Sequence, residues 1–269
     1  MFWLILSVFG IISGITTVLF GFGGGFVAVP LLFTLISLAF APDSFIVQSA
    51  MHIAVATSTT AMIFGAGLAT YRRHRAGQLS LSVVKPLLLP IALGAIAGAV
   101  AAVASHGSWI RWVFIAYLGL TILDALFRPG FMRVAAGQFQ PLSARANLAA
   151  GFALGLIAAF LGVGGSVLSV PLMRRRGAAM SQASALANPL SLPMAVTASA
   201  VYLVLAWQSP PLGWGFIGYI YLPALAILVG GSWLGIHLAT PWLKNISDSV
   251  HARAYISLLI LMFFIMLVI

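Results

Sequence analysis

The chain has 269 residues, of which 62% are hydrophobic and 6% charged, and its formal net charge is +10 at pH 7. Because soluble domains carry about 25% charged residues, this composition excludes a soluble protein and indicates a polytopic membrane protein. The basic residues lie in short stretches between apolar segments, so we interpret them as orientation signals and not as a nucleic-acid-binding surface. The absence of cysteine excludes disulfides.

Apolar segments recur along the chain in two sets of five. In order, they cover residues 2–20, 26–40, 46–70, 80–104 and 109–127, and then 146–161, 165–173, 180–206, 214–239 and 254–269. The sequence therefore predicts an all-α polytopic membrane protein with an N-terminal membrane repeat (1–127), a cytoplasmic connector (128–145) and a C-terminal membrane repeat (146–269). The first residues carry no basic side chain, so we expect no cleavable signal peptide.

A glycine-rich motif occurs once in each half. Residues 21–30 read Gly-Phe-Gly-Gly-Gly-Phe-Val-Ala-Val-Pro, and residues 162–171 read Gly-Val-Gly-Gly-Ser-Val-Leu-Ser-Val-Pro. Each glycine costs a helix about 1 kcal/mol relative to alanine, so each motif predicts a break in an apolar segment. Paired breaks at corresponding positions of two halves are typical of the binding site of a secondary transporter.

Basic residues predict how the chain is threaded through the membrane. One arrangement places all of them except Arg111 on the cytoplasmic side and leaves both termini outside. The cytoplasmic set is Arg72, Arg73, Arg75, Lys85, Arg128, Arg133, Arg145, Arg174, Arg175, Arg176, Lys244 and Arg253. Because each half has an odd number of segments, the second half is then inverted relative to the first.

Two segments of the second half are short for a membrane of about 30 Å. With roughly 15 and 9 apolar residues, 146–161 and 165–173 reach about 22 and 14 Å as helices, so we expect that neither spans alone. They predict a hairpin that starts from the cytoplasm, turns near Gly162 and returns. Residues 2–40 then form a longer hairpin from outside, and the two turns meet at mid-membrane, where irregular backbone must be buried or line a cavity.

The glycine turns are candidates for an anion site, because a helix N-terminus presents free N–H groups and glycine lets a ligand approach them. The alternative is that the glycines only pack helices. Hydroxyl and amide side chains in the third and eighth segments provide further donors, unless they bond only to their own helices. The predicted substrate-binding residues are Gly21, Gly23, Gly24, Gly25, Thr57, Ser58, Gly162, Gly164, Gly165, Ser166, Asn188 and Ser191.

His52 is a candidate for a coupling role in transport, with Gln48 one turn before it, because an ionisable residue within a span is often functional and histidine changes charge near neutral pH. The alternative is a neutral histidine bonded to a neighbouring helix. Asp43 and Asp248 are interpreted as interfacial, and Asp124 as a local partner of Arg128 at i+4. The sequence contains no paired acids, metal-ligand spacing or Ser/His dyad, so we expect no enzyme activity, metal or cofactor.

The duplicated motif, from Gly21 to Pro30 and from Gly162 to Pro171, together with Ala56-Thr57-Ser58, resembles the TauE/SafE sulfite exporter family. The resemblance covers essentially the whole chain. It implies a multi-pass transporter in a bacterial inner membrane that moves small sulfur-containing anions, such as sulfite, thiosulfate or organosulfonates, with export as the direction. The second half departs from the family pattern, since Asn188-Pro189 replaces Thr-Ser and Ser166 replaces the third glycine.

These observations favour alternating access around the two glycine turns, with the lipid bilayer and a small sulfur oxyanion or organosulfonate as partners and no nucleic acid. A membrane-embedded enzyme and a scaffold without transport are the alternatives. The matched glycine breaks favour a transporter, because a scaffold does not need them.

Overall fold

The structure is a computed structural model that describes residues 2–127, 131, 140, 142–207, 211–241 and 246–268. The helices and strands of this part are α1 (Phe2–Phe20), α2 (Gly25–Ala39), α3 (Phe45–Gln48), α4 (Ala50–Arg75), α5 (Leu81–Ala104), α6 (Gly107–Phe127), α7 (Ala144–Leu161), α8 (Ser166–Arg175), α9 (Met180–Ala206), β1 (Phe216–Ile217), β2 (Ile220–Tyr221), α10 (Leu222–Ala239) and α11 (Asp248–Val268). Eight of these helices are long and apolar enough to cross a membrane. The predicted all-α polytopic class is confirmed.

Some parts of the predicted layout lie outside the described residues. Arg128, Arg133 and Lys244 are among them, as are Met1, Ile269 and most of the connector predicted over 128–145. The division into two membrane repeats and a connector, and the inversion of one repeat relative to the other, therefore stay predictions.

Two predicted segments begin at other residues than expected. The segment predicted over 46–70 consists of the single turn α3 followed by the long helix α4. Ser44 starts α3, because its side chain accepts a hydrogen bond from the Val47 N–H at 3.3 Å. The last helix, predicted from residue 254, begins at Asp248, whose carboxylate is favourable in the first turn of a helix.

The segment predicted over 214–239 is not helical at its start. It opens with the antiparallel pair β1–β2, in which Ile217 lies opposite Ile220. Gly218 in the turn between them has φ +56°, a conformation that glycine adopts readily. Helix α10 follows, with Pro223 in its first turn, where the missing proline N–H breaks no helical hydrogen bond.

The predicted hairpin in the second half is present, but one of its helices is longer than expected. Helix α7 has 18 residues, about 27 Å, so the prediction that it is too short to span was wrong. Ser143 caps it by accepting a bond from the Ala146 N–H, which starts the helix before the apolar run. Helix α8 remains short, with 10 residues or about 15 Å. The Gln140 N–H donates to the Arg176 carbonyl at 3.0 Å, so the chain returns to the end where α7 began.

Helix α1 of the first half packs on α10 of the second half through glycines. A Cβ added at Gly10 would lie 3.2 Å from the Cα of Gly231. One added at Gly14 would lie 2.8 Å from the Cα of Ser232, and one added at Gly235 would lie 3.0 Å from the Cα of Gly14. Because these positions lack side chains, the two backbones are in direct contact.

The same arrangement joins α5 of the first half to α7 of the second half. A Cβ at Gly98 would lie 3.0 Å from the Cα of Leu156, and one at Gly155 would overlap the Ile91 carbonyl. Both glycine-packed pairs therefore contain one helix from each half. Helices α4 and α9 are the most buried of the membrane-length helices, and they contact each other through a hydrogen bond from Thr60 Oγ1 to Ser199 Oγ of 3.1 Å.

Candidate anion site at the paired glycine turns

The first glycine turn, residues 21–24, joins α1 to α2 and depends on glycine for its backbone conformation. Gly21, Gly23 and Gly24 have φ values of +77°, +63° and +94°. Residues with a Cβ rarely adopt this left-handed region. The chain can reverse direction here because all three positions are glycine. Gly24 is the N-cap of α2, and its carbonyl accepts a hydrogen bond from Ser13 Oγ at 2.7 Å.

The second glycine turn, residues 162–165, joins α7 to α8 and uses glycine partly for space. Gly162 has φ +68°, whereas Gly165, the N-cap of α8, has an ordinary φ of −55°. A Cβ at Gly164 would collide with the Phe22 carbonyl of the first turn. Glycine is therefore needed at position 162 for its backbone conformation and at position 164 so that the two turns can approach each other.

The two turns are in contact, as the sequence predicted. A Cβ added at Gly25, the first residue of α2, would lie 2.9 Å from the Gly162 carbonyl oxygen. Every residue over 21–30 and over 161–167 is buried. The structure is therefore closed around the turns, and a ligand needs a conformational change to reach them. Their location at mid-membrane stays a prediction.

Helices α4 and α9 hold the turns with polar side chains. Ser58 Oγ of α4 bonds to the Gly162 carbonyl at 3.2 Å, in addition to the Val55 carbonyl of its own helix at 3.0 Å. Asn188 Nδ2 of α9 donates to the Thr17 carbonyl at the end of α1 at 3.0 Å. Each central helix therefore binds the glycine hairpin of the other half of the chain.

The N-terminus of α8 is capped by a hydroxyl. The Gly165 N–H donates to Ser191 Oγ at 3.1 Å, and this hydroxyl in turn donates to the Ala187 carbonyl at 3.0 Å. A negatively charged oxygen is a stronger acceptor for such an N–H than a serine hydroxyl. Ser191 thus bonds back to its own helix, which was the predicted alternative, and also contacts the second turn.

Several buried polar atoms next to the turns have no hydrogen-bond partner among the described residues. These are Ser166 Oγ in the first turn of α8, Asn188 Oδ1, and Ser232 Oγ of α10. A Cβ at Gly24 would lie 3.8 Å from Ser232 Oγ, so this hydroxyl is beside the first turn. Leaving such groups buried and unpaired costs about 1–3 kcal/mol each. Each of these atoms is therefore free to bond to a polar ligand.

The side chain of Thr57 bonds to the β1–β2 hairpin and not to the glycine turns. Its Oγ1 accepts a bond from the Tyr221 N–H at 2.9 Å and lies 3.5 Å from the Tyr219 carbonyl oxygen, so it holds the β1–β2 hairpin. Gly23, in the first turn, packs on Met62 of α4, since a Cβ added at Gly23 would lie 3.1 Å from Met62 Sδ. Of the predicted polar side chains, Ser58, Ser166, Asn188 and Ser191 are brought to the turns.

His52 and Gln48 also lie apart from the turns. His52 Nε2 donates to the carbonyls of Ser105 and Ala102, at 2.9 and 3.2 Å, where α5 ends. Its ring stacks on Tyr219, with centroids 5.3 Å apart. Gln48 is exposed, and its Nε2 donates to the Asp43 carbonyl at 3.4 Å. The bond to a neighbouring helix was the alternative reading of His52, and a coupling role stays a prediction.

Sequence reasoning missed Ser13 and Ser232, which border the first turn. Ser13 precedes Gly14, and Ser232 follows Gly231, so each hydroxyl is adjacent to a glycine of the α1–α10 contact. The available signal was that each hydroxyl neighbours a glycine, because a glycine in an apolar helix marks a place where another backbone can approach. Which turn it would face depends on the pairing of α1 with α10, which the sequence does not state.

The acidic residues form contacts that the sequence did not predict. Asp124 forms an ion pair with Arg175, whereas its predicted local partner Arg128 lies outside the described residues, so that pairing stays a prediction. Asp248 is more than interfacial: its carboxylate lies 3.0 Å from Arg174, whose side chain is 1% exposed, and accepts the Met180 N–H at 2.6 Å. Some of the basic residues that predict orientation therefore also stabilise the fold.

Membrane-length helices arranged around two contacting glycine turns, within the described residues, define a polytopic membrane protein of the transporter type. The family of sulfite exporters TauE/SafE matches residues 6–266, and the chain belongs to this family. The chain is also 26% identical over 264 residues to a protein of Haemophilus influenzae described as "Probable membrane transporter protein", covering 96% of this chain and 92% of that one. The protein is therefore a membrane transporter and not an enzyme.

Proposed function

We propose that the protein is a secondary transporter that exports small sulfur-containing anions, such as sulfite, thiosulfate or organosulfonates, across a bacterial inner membrane. The observation that carries the proposal is that buried polar atoms beside the two turns, Ser166 Oγ, Asn188 Oδ1 and Ser232 Oγ, have no hydrogen-bond partner among the described residues. Two helix N-termini with neutral donors suit a small anion, because their N–H groups point at the ligand and their dipoles favour negative charge.

The contacts around the turns supply a route for alternating access. The first turn follows α1, which is glycine-packed on α10, and the second turn follows α7, which is glycine-packed on α5. Backbone contact of this kind keeps each pair rigid. We propose that the two pairs rock against each other around α4 and α9, and that the anion binds between the turns when they separate.

Bonds that already exist at the site support a proposed mode of anion binding. On binding, an anion replaces Ser191 Oγ as the acceptor of the Gly165 N–H and takes donors from the hydroxyls of Ser166 and Ser232. Asn188 keeps its Nδ2 bond to the end of α1 and orients the first turn. The selectivity is thus for a group with several acceptor oxygens, and the site carries no fixed charge among the residues named.

Flux in proteoliposomes tests the proposal. Vesicles loaded with sulfite and containing the purified protein are expected to release it with saturable kinetics, and sulfoacetate outside is expected to compete. Acetate of equal concentration is the control for a general anion leak, and potassium is the control for a general pore. Release that does not saturate, or that passes potassium equally well, would exclude the proposed site.

A further inference from the structure

A second cavity with two arginines lies at the end of α1, outside the site described above. Its volume is about 140 Å³. The lining residues are Val18, Ala69, Arg72, Arg73, Ala76, Gln78, Ile236 and Thr240. They come from α1, the last turns of α4, the residues that follow α4, and the end of α10. The cavity is large enough to hold several water-sized groups or one small polyatomic anion.

The hydrogen bonds of both arginines in the described part of the chain go to uncharged acceptors. Arg73 is only 9% exposed, and its Nη2 donates to the Val18 carbonyl at 2.9 Å. Arg72 Nη1 donates to Thr240 Oγ1 at 3.0 Å, and its Nη2 contacts His237 Nε2. A guanidinium has five N–H donors, so both retain donors beyond these bonds.

The three acidic residues of the chain are placed elsewhere. Asp248 binds Arg174, and Asp124 binds Arg175. Asp43 precedes α3, near the start of α4, and the start of α4 at Ala50 lies about 35 Å along the helix axis from Arg73. The buried positive charge in this cavity therefore lacks a neighbouring carboxylate. A buried charge of this kind is stable only when a counter-charge or a set of hydrogen bonds compensates it.

The cavity lies close to the first glycine turn and opens to the surface. The Val18 carbonyl that binds Arg73 is three residues before Gly21, about 4.5 Å along α1. On the other side, Gln78 is exposed, so the cavity reaches solvent there. Under the predicted threading, this end of α4 faces the cytoplasm, which is the side from which an exporter takes its substrate.

We infer that the arginine cavity is a second anion site, which captures a small oxyanion of the same class as the proposed substrate before it reaches the glycine turns. This inference rests on the proposed function for the identity of the anion. Arg72 and Arg73 supply charge-assisted donors, Thr240 orients Arg72, and Gln78 lies at the mouth. The guanidiniums attract the anion from solution, and the neutral turns bind it after its hydration shell is removed.

Calorimetric titration of the purified protein with sodium sulfite tests the inference. The wild type is expected to bind two anions per chain. Arg72→Gln is expected to weaken one of them at least tenfold and leave the other unchanged. Arg75→Gln is the matched control, because it removes the same charge from the same helix end at an exposed residue outside the cavity lining.

A second pair of variants guards against misfolding of Arg72→Gln. Gln78→Glu places a carboxylate at the mouth of the cavity on an exposed residue, so folding is preserved while the positive potential falls. It is expected to weaken the same anion at least tenfold. His74→Glu adds the same charge at an exposed position of the same helix end that does not line the cavity, and it is expected to retain both sites.

The outcomes separate the two proposals. One sulfite per wild-type chain, lost in Gly165→Ala and unaffected by Arg72→Gln and Gln78→Glu, would overturn the second site and leave the proposed function standing. If the wild type binds two sulfite ions and Gly165→Ala weakens neither, the anion site at the turns would be overturned and the arginine-cavity site would stand. Absence of sulfite binding to the wild type would overturn both.

Discussion

At the scale of single residues, the glycines of the two turns differ in what they provide. Gly24 has φ +94°, so any side chain there strains the backbone whether or not there is space. Gly165 has an ordinary φ of −55°, and a Cβ there would lie 3.7 Å from Ser191 Oγ, an ordinary van der Waals distance. Gly165 therefore allows ligand binding to be tested without disturbing the fold.

Gly165→Ala is expected to fold like the wild type and to bind sulfite at least about tenfold more weakly. The methyl group would fill the space between the α8 N-terminus and Ser191, where the anion must meet the Gly165 N–H, and one charge-assisted bond contributes about 1.5–3 kcal/mol. Calorimetry measures the affinity. Gly230→Ala is the matched control, because its Cβ would meet no atom within 4 Å. Wild-type affinity in Gly165→Ala would assign the glycine turns to helix packing alone.

Arg174→Gln is expected to destabilise the protein by about 3–5 kcal/mol, because it leaves the Asp248 carboxylate without its buried partner. Arg174 also donates to the Phe131 carbonyl and, at 3.3 Å, to the Ala178 carbonyl, so three segments lose a contact. Thermal unfolding in detergent measures the change. Arg175→Gln, in which an exposed side chain leaves Asp124, is the control and is expected to cost at most about 1 kcal/mol. Equal losses in both variants would contradict this account.

The bonds of His52 to the end of α5 permit a test of its coupling role. If the ring only caps α5 and packs on Tyr219, His52→Gln is expected to lower the melting temperature while the pH profile of sulfite flux in proteoliposomes stays unchanged. If His52 couples transport to protons, the pH profile changes while the fold persists. Gln48→Ala serves as the neighbouring control, because this exposed side chain donates to the Asp43 carbonyl and not to α5.

At the scale of helices, glycine stripes decide which elements stay together. The pairs α1–α10 and α5–α7 are in backbone contact, whereas the central helices α4 and α9 interact with the turns through side chains such as Ser58 and Asn188. Side-chain bonds can exchange partners without opening a packed backbone. Movement in this transporter is therefore expected at the turns, with the glycine-packed pairs moving as units.

Gly155→Ala is expected to lower the free energy of unfolding by about 1–3 kcal/mol, because the added methyl would overlap the Ile91 carbonyl and force α5 and α7 apart. The yield of folded protein after heating measures the effect. Gly230→Ala again provides the control, since it adds the same methyl to a helix in open space. A melting temperature for Gly155→Ala equal to that of the control would show that α5 and α7 are not held by this contact.

The sequence predicted the elements and the turns better than the partners of each residue. The duplicated motif placed both glycine turns, because the glycine cost in a helix is local. The start of α7 was misplaced because Ser143 caps the helix before its apolar residues begin. The roles of Ser13 and Ser232 were missed because they depend on which helices cross. The bonds of Thr57 to β1–β2 were not foreseen, since that strand pair was predicted as helix, and its role in substrate binding stays a prediction.

At the scale of the whole molecule, the threading through the membrane is the main prediction to test. A cysteine at Arg75 or at Arg175 is expected to react with an impermeant reagent only from the cytoplasm, because both side chains belong to the predicted cytoplasmic set and are accessible. The natural chain contains no cysteine, so single-cysteine variants need no background correction. A reporter fused after Ile269 is expected to be external. Labelling of Arg175→Cys from outside would exclude the inverted arrangement.

The pairing of α1 with α10 also has a consequence for how the protein is made. The glycines that α1 packs against, such as Gly231, are translated about 220 residues after Gly10. At synthesis rates of about 5–20 residues per second, this partner arrives roughly 10–45 s later. During that interval α1 has only its contacts with helices made earlier, such as α2 and α4, and its glycine stripe lacks α10. The contact between α1 and α10 therefore forms late in synthesis, after the helices between them have been made.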